Sequence, residues 1–526
     1  MTTTDDRPVL RQPPERPGPV LGVAQWWPRS SLLAVGAVAV VAALARIPFL
    51  GAPLTSDEGG FLMVAAQWHP GTSLYGDYWV DRPPLLIALL EPVARASHQA
   101  VSLRLLGMVA VIASVLLAGR LGRLLGPAAG SAPRVRAVLP VLAAATAAVL
   151  LDSALFGGAT EIDGELLGLP FVLASLALAV GATRTRSRAT LIAHWAAAGA
   201  TAAGALAVKQ SLLDGFVAAG VLLAWLALTR SPSDAARGAV AFLSGALAAG
   251  SAVLLWAALH GTNPGPLWDA VVTFRAQAGA VISASAPSSN DDRAQALGLA
   301  LLASGALGIV ACALVPRRDR ARPGITTEPD PRLLLVTVLG WELTGVALGG
   351  SYWLHYLIAI IPGLVLAVAT AGVHHPRRLP LVAGCLVWAL AVTTAADVAA
   401  FEKVDAPTAD AAAVEFLAGH ARPGDTAVVA FGDPALLERA GLPSPYPQLW
   451  SLPVRVRDPH LTAFTSVLES PQRPTWLIVA GTSLATWGVD SATAQQVVDR
   501  EYVARGAFGD WTVYQARSNS PRLSVG

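Results

Sequence analysis

Charged residues are scarce in this chain. Asp, Glu, Lys and Arg together make up 14% of its 526 residues, whereas about 25% is typical of soluble globular domains. Hydrophobic residues reach 54% and the mean hydropathy is +0.54. This composition excludes an ordinary soluble domain. The formal net charge of +2 provides no broad basic surface, so we expect no nucleic-acid partner.

Cysteine and lysine are almost missing as well. The two cysteines, Cys312 and Cys385, lie inside apolar runs, where they indicate small buried side chains and neither a disulfide nor a metal site. The only lysines are Lys209 and Lys403, and this bias toward arginine and alanine is typical of a high-GC bacterial genome. The first apolar run has no small-residue cleavage site, so we expect it to remain as a membrane anchor.

Long apolar runs dominate the chain instead. A membrane-spanning helix needs about 20 mostly apolar residues, and eleven segments approach this length. They are approximately 31–49, 101–119, 137–152, 165–181, 190–208, 211–229, 239–260, 295–315, 333–350, 354–372 and 380–398. The pattern predicts an all-α polytopic membrane protein with about eleven transmembrane helices over residues 30–399.

Arginine clusters predict the orientation. With eleven spans, the clusters before the first span and after the second, fourth, sixth, eighth and tenth all fall on one side. Positive residues flank the cytoplasmic ends of spans, so we predict a multi-pass plasma-membrane protein whose N terminus is cytoplasmic. The Pro- and Arg-rich residues 1–29 are predicted to be a disordered cytoplasmic segment.

The composition changes near residue 400. Residues 408–420 and 491–502 have helical apolar spacing, whereas 426–431, 475–480 and 511–516 are typical of short strands. Helices that alternate with buried strands indicate a mixed α/β layer. We therefore predict a small extracytoplasmic α/β domain over residues 400–526.

The first external loop, residues 50–100, carries two charged motifs. Residues 56–60 (SDEGG) place two adjacent carboxylates soon after the first span. Ser56 is a suitable N-cap for a helix over 58–69, whose dipole would favour ionised carboxylates in its first turn. Residues 81–85 (DRPPL) precede an apolar segment too short to span, which predicts a helix lying at the membrane surface.

These motifs, in this order and on the external side, resemble those of the GT-C glycosyltransferases. The nearest branches are the protein O-mannosyltransferases and the lipid A aminoarabinose transferases. The matching elements are Asp57-Glu58 and residues 82–85 (RPPL), and the weaker matches are Arg46, Arg104, Glu161, Lys209-Gln210 and His355-Tyr356. The resemblance covers roughly residues 30–400.

The resemblance implies transfer of a sugar from a polyprenyl-phosphate-linked donor at the outer face of the membrane. Asp57 would be the general base that takes the proton of the acceptor hydroxyl, with Glu58 as its neighbour or substitute. Cations would hold the leaving phosphate. Arg82, Lys209 and Arg46 are the candidates, because each stands alone near the outer boundary of the membrane.

The remaining candidates bind substrate. Glu161 would bind sugar hydroxyls, and His355-Tyr356 would line the donor pocket. Each of these residues could also have no functional role. Arg46 would then be a solvated cation, Glu161 a solvated loop acid and His355 a histidine at the membrane interface. We assign no metal site, since Asp291-Asp292 has no third ligand nearby, although some members of the family carry a divalent cation near the acidic loop.

The sequence does not distinguish an envelope glycan, a lipid and a protein as the acceptor. Membrane lipids are expected as further partners. The alternative function is a polytopic transporter or a flippase for lipid-linked glycans, without transferase activity. Transporters tend to show related halves and charges near the bilayer midplane. This chain shows no internal repeat, and its carboxylates cluster outside the membrane.

Overall fold

A computed structural model describes residues 29–517, apart from 72, 98, 128–131, 285–286, 316–328, 405, 407 and 487. The predicted disordered segment 1–29 falls outside the described residues except for Arg29, which begins the first helix.

Residues 29–401 form a helical bundle. In chain order, helices α1 to α16 are Arg29–Ala45, Ser56–Ala66, Pro84–Ala96, Ala100–Leu125, Pro133–Leu151, Gly164–Arg184, Arg188–Val208, Asp214–Thr229, Pro232–Leu259, Pro264–Trp268, Phe274–Ser283, Pro287–Ala303, Ala306–Leu314, Pro331–Leu348, Ile361–His374 and Leu379–Phe401. A π-helical stretch, Asp269–Thr273, joins α10 to α11, and a 3-10 segment, Leu354–Ile360, leads into α15.

The eleven predicted spans all fall on helices, and the chain is a multi-pass membrane protein. Nine of the described helical segments are long and apolar enough to cross a membrane. The predicted span 295–315 is instead a pair, α12 and α13, bent by 61°. The bend lies at Gly305, whose φ of 72° favours a residue without a side chain. The predicted span 211–229 is α8, which has only 16 residues.

Burial separates the inner helices from the outer ones. The most apolar stretch of Leu354–His374 is 83% buried inside the bundle, whereas that of Pro232–Leu259 is only 17% buried although its hydropathy is nearly as high, 1.9 against 2.2. Leucines such as Leu247 and Leu259 on α9 are exposed on the outside of the bundle, where contact with water would be unfavourable. Lipid tails are as apolar as leucine and solvate such a face. The outer helices thus present an apolar surface to the bilayer around a packed centre.

The first loop folds back over the end of the bundle. Helix α2 begins after Thr55, whose backbone N–H donates to Glu58 Oε2 at 2.9 Å. The N-cap is therefore Thr55 and not Ser56 as predicted. Pro83 precedes α3, the predicted surface helix, and Pro84 begins it, because proline fits the first turn where no N–H is needed.

The C-terminal region is a four-stranded sheet with helices. Strands β1 to β4 are Ala427–Ala430, Trp476–Ala480, Tyr502–Phe508 and Trp511–Ala516, in the spatial order β1-β2-β4-β3. Helices α17 to α21 are Ala409–His420, Ala435–Ala440, Ser451–Arg457, Thr462–Glu469 and Ala492–Glu501. The β1–β2 pair is parallel and the other two pairs are antiparallel.

The sheet region packs directly on the first loop. Trp79 N donates to Pro447 O at 3.0 Å, and Ser444 N donates to Tyr78 Oη at 2.8 Å. Helix α18 lies against α2, where Gly59 and Gly60 allow the close approach. A Cβ at Gly59 would lie 2.7 Å from Ala435 Cβ, and one at Gly60 would lie 2.8 Å from Pro434 Cγ. The acidic helix is thus held between the bundle and the sheet region.

Candidate active site

A cavity of about 1070 Å³ opens where the first loop, the bundle and the sheet region meet. Its wall combines three acids, four arginines and several aromatic side chains. The charged members are Asp57, Asp81, Arg82, Glu161, Arg275, Arg293 and Arg455, and His355, Tyr356, Trp353 and Trp450 also line it. This volume lies at the upper limit of small-molecule and cofactor sites, which measure about 300–1,000 Å³, and the charges of the wall favour an anionic ligand.

Asp57 has the geometry that a general base requires. It lies in the first turn of α2, and its side chain is 28% exposed. Trp450 Nε1, from the sheet region, donates to Asp57 Oδ1 at 3.0 Å, and Arg82 Nη2 lies 4.0 Å from Asp57 Oδ2. These partners fix the carboxylate but leave acceptor capacity, since a carboxylate has about four lone-pair sites.

A series of ion pairs connects Asp57 to Arg82, Asp81 and Arg275. Arg82 Nη1 donates to Asp81 Oδ1 at 2.8 Å, and Arg275 Nη2 lies 2.8 Å from Asp81 Oδ2. Two guanidinium groups thus share the one carboxylate of Asp81, and this group keeps a net positive charge. Burial alone would raise the pKa of Asp81, but Arg275 and Arg82 outweigh it and hold the pKa below its usual range.

The pKa of Asp57 shifts in the opposite direction to that of Asp81. Burial raises the pKa of the Asp57 carboxyl above its ordinary value, and the nearby Glu161 adds to the rise. The Arg82 guanidinium lowers the pKa but does not cancel the effect of burial. A carboxylate with a raised pKa is a stronger base, as general-base catalysis at neutral pH requires.

Glu161 and His355 face each other on the cavity wall, close enough to Asp57 to influence its pKa. His355 Nδ1 lies 3.5 Å from Glu161 Oε2 and 3.8 Å from Asp163 Oδ2. Asp163, the N-cap of α6, accepts from Leu166 N at 2.8 Å. Burial, with Glu165 nearby, raises the pKa of Asp163 to about 7, so this carboxyl group takes up a proton more readily than an ordinary aspartate.

The same wall contains one potential metal-binding group among the described residues. Ligand atoms of Asp163, Glu165 and His355 lie within 4.8 Å of one another. Asp163 Oδ2 and Glu165 Oε2 have no hydrogen-bond partner, so the group has coordination capacity. Lys209 Nζ, however, already forms an ion pair with Glu165 and lies 5.1 Å from the Tyr356 ring centroid. Lys209 thus supplies a positive charge beside these carboxylates, at the place where a metal ion would otherwise supply one.

The structure brings five of the sequence-predicted site residues to the cavity wall. They are Asp57, Arg82, Glu161, His355 and Tyr356. Lys209 lies behind Tyr356, outside the cavity lining. The expectation that each cation stands alone is wrong, because Lys209 pairs with Glu165, Arg82 pairs with Asp81, and Arg46 pairs with Asp152.

Glu58 and Arg46 lie away from the cavity. The Glu58 side chain is fully buried and binds Arg104 twice, at 2.6 Å through Oε1 and at 2.9 Å through Oε2. It also accepts the Ile162 N–H at 2.7 Å, so it joins α2 to α4 and the loop before α6. Arg46 Nη1 lies 3.4 Å from Asp152 Oδ1 at the end of α5. Both residues hold the framework together.

Sequence reasoning missed Arg275, Arg293, Arg455 and Trp450. Arg275 and Arg293 are isolated cations in the segment between α9 and α13, and their isolation was the one signal available. Arg455 and Trp450 belong to α19 and the residue before it, and no local pattern connects them to a loop almost 400 residues earlier.

No protein-family model matches the sequence, and no curated protein matches it significantly. Solved structures do. ArnT from Cupriavidus metallidurans bound to undecaprenyl phosphate aligns with 93% of this chain and 98% of its own, at 13% identity and a TM-score of 0.60. The Archaeoglobus fulgidus oligosaccharyltransferase tethered to an acceptor peptide aligns with 94% of this chain and 75% of its own, at 12% identity and a TM-score of 0.52.

Both neighbours are GT-C membrane glycosyltransferases, so the chain has the GT-C fold. The GT-C fold implied by the resemblance of the loop motifs is thereby confirmed, as is the predicted all-α polytopic architecture with a small C-terminal sheet.

Proposed function

We propose that this protein is a membrane glycosyltransferase that transfers a sugar from a polyprenyl-phosphate-linked donor to an acceptor of the cell envelope. One observation carries the proposal: a partly exposed carboxylate, Asp57, lies beside Arg82 on the wall of a cavity with four arginines. The solved neighbour bound to undecaprenyl phosphate has the same fold over nearly the whole chain. A transporter or flippase would not need an acceptor-accessible base beside the anion site.

The reaction needs a base and an anion site close together. Asp57 takes the proton from the acceptor hydroxyl as its oxygen attacks the anomeric carbon, and the bond from that carbon to the phosphate oxygen breaks. Arg82 and Arg275 hold the departing phosphate, whose negative charge grows as the bond breaks. They can do so because Asp81 neutralises only one of their two charges.

The remaining wall binds the sugar. Glu161, 20% exposed and oriented by His355, offers acceptor oxygens to sugar hydroxyls, and Tyr356 extends the same surface. Lys209 acts indirectly, since its pair with Glu165 and its position against the Tyr356 ring fix that corner. A divalent cation would use Asp163, Glu165 and His355, with no step of the transfer assigned to it.

The proposed orientation places the cavity outside the cytoplasm. The first loop and the sheet region touch each other, so an even number of crossings must separate them. Eight long apolar segments lie between residues 100 and 401. Helix α8 and the bent pair α12–α13 therefore either both cross the membrane or both do not. The arginine clusters favour eleven spans, with the N terminus in the cytoplasm.

The decisive experiment is a transfer assay. Membranes that contain the protein are incubated with a polyprenyl-phosphate-linked sugar labelled in the sugar, and the labelled acceptor is measured. Asp57→Asn should reduce transfer at least a hundredfold, since general-base catalysis contributes about 10²–10⁴-fold. Expression and membrane insertion should not change.

Asp77→Asn is the matched control. Asp77 is in the same loop, is 50% exposed and lies outside the cavity wall, so its replacement should leave transfer intact. Wild-type activity in Asp57→Asn would refute the catalytic assignment. Equal loss in both variants would indicate damage to the loop instead.

A further inference from the structure

Two arginines of the cavity have no role in the transfer step. Arg293 comes from α12 in the bundle and Arg455 comes from α19 in the sheet region. Arg455 Nη2 donates to Val281 O at 3.4 Å, and Asn290, the hydrogen-bond partner of Arg293, donates to Ile282 O at 3.5 Å. Arg455 thus contacts the C-terminal end of α11 directly, and Arg293 is linked to the same helix end through Asn290.

Arg293 is held in place by the protein alone. Its Nε donates to Ser351 O at 2.8 Å, its Nη2 donates to Asn290 Oδ1, and its guanidinium carbon lies 4.7 Å from the Trp353 ring centroid. A side chain fixed in this way loses little conformational entropy when a ligand binds. Donors of its five-donor fork also remain for a ligand.

The charge balance differs between the two halves of the cavity. Near Asp57, Arg82 and Arg275 share Asp81. Within the part of the chain that the structure describes, no carboxylate forms an ion pair with Arg293, and its neighbours on the wall are Asn290, Ser351 and Trp353. The carbonyl groups at the C-terminal end of α11 attract cations. This attraction alone does not explain why an arginine side chain lines a large cavity.

We propose that Arg293 and Arg455 form a second anion subsite, which binds a phosphate or carboxylate group remote from the bond that breaks. The inference rests on the proposed function, in which Arg82 and Arg275 already hold the departing phosphate. The second anion then belongs either to an acidic acceptor or to a second phosphate of the donor. In either case the transferase acts on a substrate pair with two separated anionic groups.

The two sources differ in a transfer assay. Envelope extract is divided by anion exchange into neutral and anionic acceptor fractions, and each is offered with a donor linked through one phosphate. An acidic acceptor predicts transfer into the anionic fraction, and Arg293→Gln should raise the KM for that fraction about tenfold without changing the KM for the donor. A donor with two phosphates predicts instead that Arg293→Gln weakens only the diphosphate-linked donor.

Arg237→Gln is the control, since Arg237 is 41% exposed, pairs with Asp234 and is not among the residues that line the cavity. It should change neither KM. If Arg293→Gln leaves the KM of every acceptor fraction and both donors unchanged, the second subsite is wrong while the transferase assignment stands.

A binding measurement tests the subsite without any transfer. In the full-length Arg82→Gln protein, inorganic phosphate should still raise the melting temperature through Arg293 and Arg455. Adding Arg293→Gln should remove most of that shift. An equal shift in the single and double variants overturns the second subsite, whatever the transfer assay gives.

Discussion

Asp57 and Glu58 are adjacent in the chain, yet their side chains lie in different environments. Asp57 is 28% exposed on the cavity wall, whereas Glu58 is fully buried against Arg104. Successive residues of a helix point about 100° apart, so one acid of the pair faces the cavity and the other faces the bundle. We infer that Asp57 is the base and that Glu58 stabilises the framework.

Glu58→Gln tests this division. Breaking a buried ion pair from one side costs about 3–5 kcal/mol, because it leaves an uncompensated charge, so we expect a clear loss of thermal stability in detergent. The fraction that stays folded should keep its specific transfer activity. Asp234→Asn, which breaks an exposed pair with Arg237, should cost less than about 1 kcal/mol. A stable but inactive Glu58→Gln protein would make Glu58 catalytic.

Trp450 should set the pH range of activity. Because burial raises the pKa of Asp57, transfer should fall as the pH drops through that raised pKa and the base becomes protonated. The Trp450 N–H stabilises the ionised form. Trp450→Phe keeps an aromatic ring but removes this hydrogen bond, so the acid limb of the pH–rate profile should move to higher pH.

Trp476→Phe is the matched control for that measurement. Trp476 also donates its indole N–H to an aspartate, Asp425, at 3.1 Å, but it lies in the core of the sheet region. Its replacement should leave the position of the acid limb unchanged. If Trp450→Phe and the wild type have the same pH profile, Trp450 does not influence the ionisation of the catalytic base.

At the scale of single residues, the sequence was informative where a motif was local. Asp57 and Arg82 stand in short patterns on one loop, and both line the cavity. Ion-pair partners were not readable, since Glu58 finds Arg104 and Arg46 finds Asp152 across 46 and 106 positions. For the same reason Lys209, apparently alone in the sequence, proved to have Glu165 as its partner.

Among the elements, α2 has the least freedom to change. An alanine at Gly59 would favour the helix by about 1 kcal/mol, but its Cβ would meet Ala435 N at 2.9 Å. Backbone atoms cannot rotate away as a side-chain tip can, and overpacking costs about 1–3 kcal/mol. We therefore expect Gly59→Ala to lower transfer by displacing α2 from α18, together with faster proteolysis of the sheet region.

Gly51→Ala provides the comparison within the same loop. No atom lies within 4 Å of the position that its Cβ would occupy, so the change should be neutral or slightly stabilising. Full activity in Gly59→Ala would show that the two elements can separate without harm to the site.

Element types were largely predictable from apolar spacing. The predicted strands 426–431, 475–480 and 511–516 are confirmed as β1, β2 and β4. Strand β3 was missed because it follows α21 without a break and only Tyr502 is fully buried, as in an edge strand. The bend in α12–α13 was missed because Gly305 lies in an unbroken apolar run, where one glycine is an ambiguous signal.

For the whole molecule, the proposed orientation is open to a labelling test. Single cysteines are placed at the exposed Gln472 of the sheet region and at the exposed Ser233 of α9, after Cys312→Ala and Cys385→Ala. A membrane-impermeant maleimide should label Gln472→Cys in intact cells and Ser233→Cys only after lysis. Labelling in the reverse order would place the cavity in the cytoplasm.

The contact between Trp450 and Asp57 also sets an order of assembly. The two residues are 393 positions apart, so every transmembrane helix must be made before the indole can reach the carboxylate. A nascent or truncated chain that already displays the acidic helix at the membrane surface has no finished site. Under the proposed function, a lipid-linked sugar in the same membrane meets a complete site only after the last domain has folded.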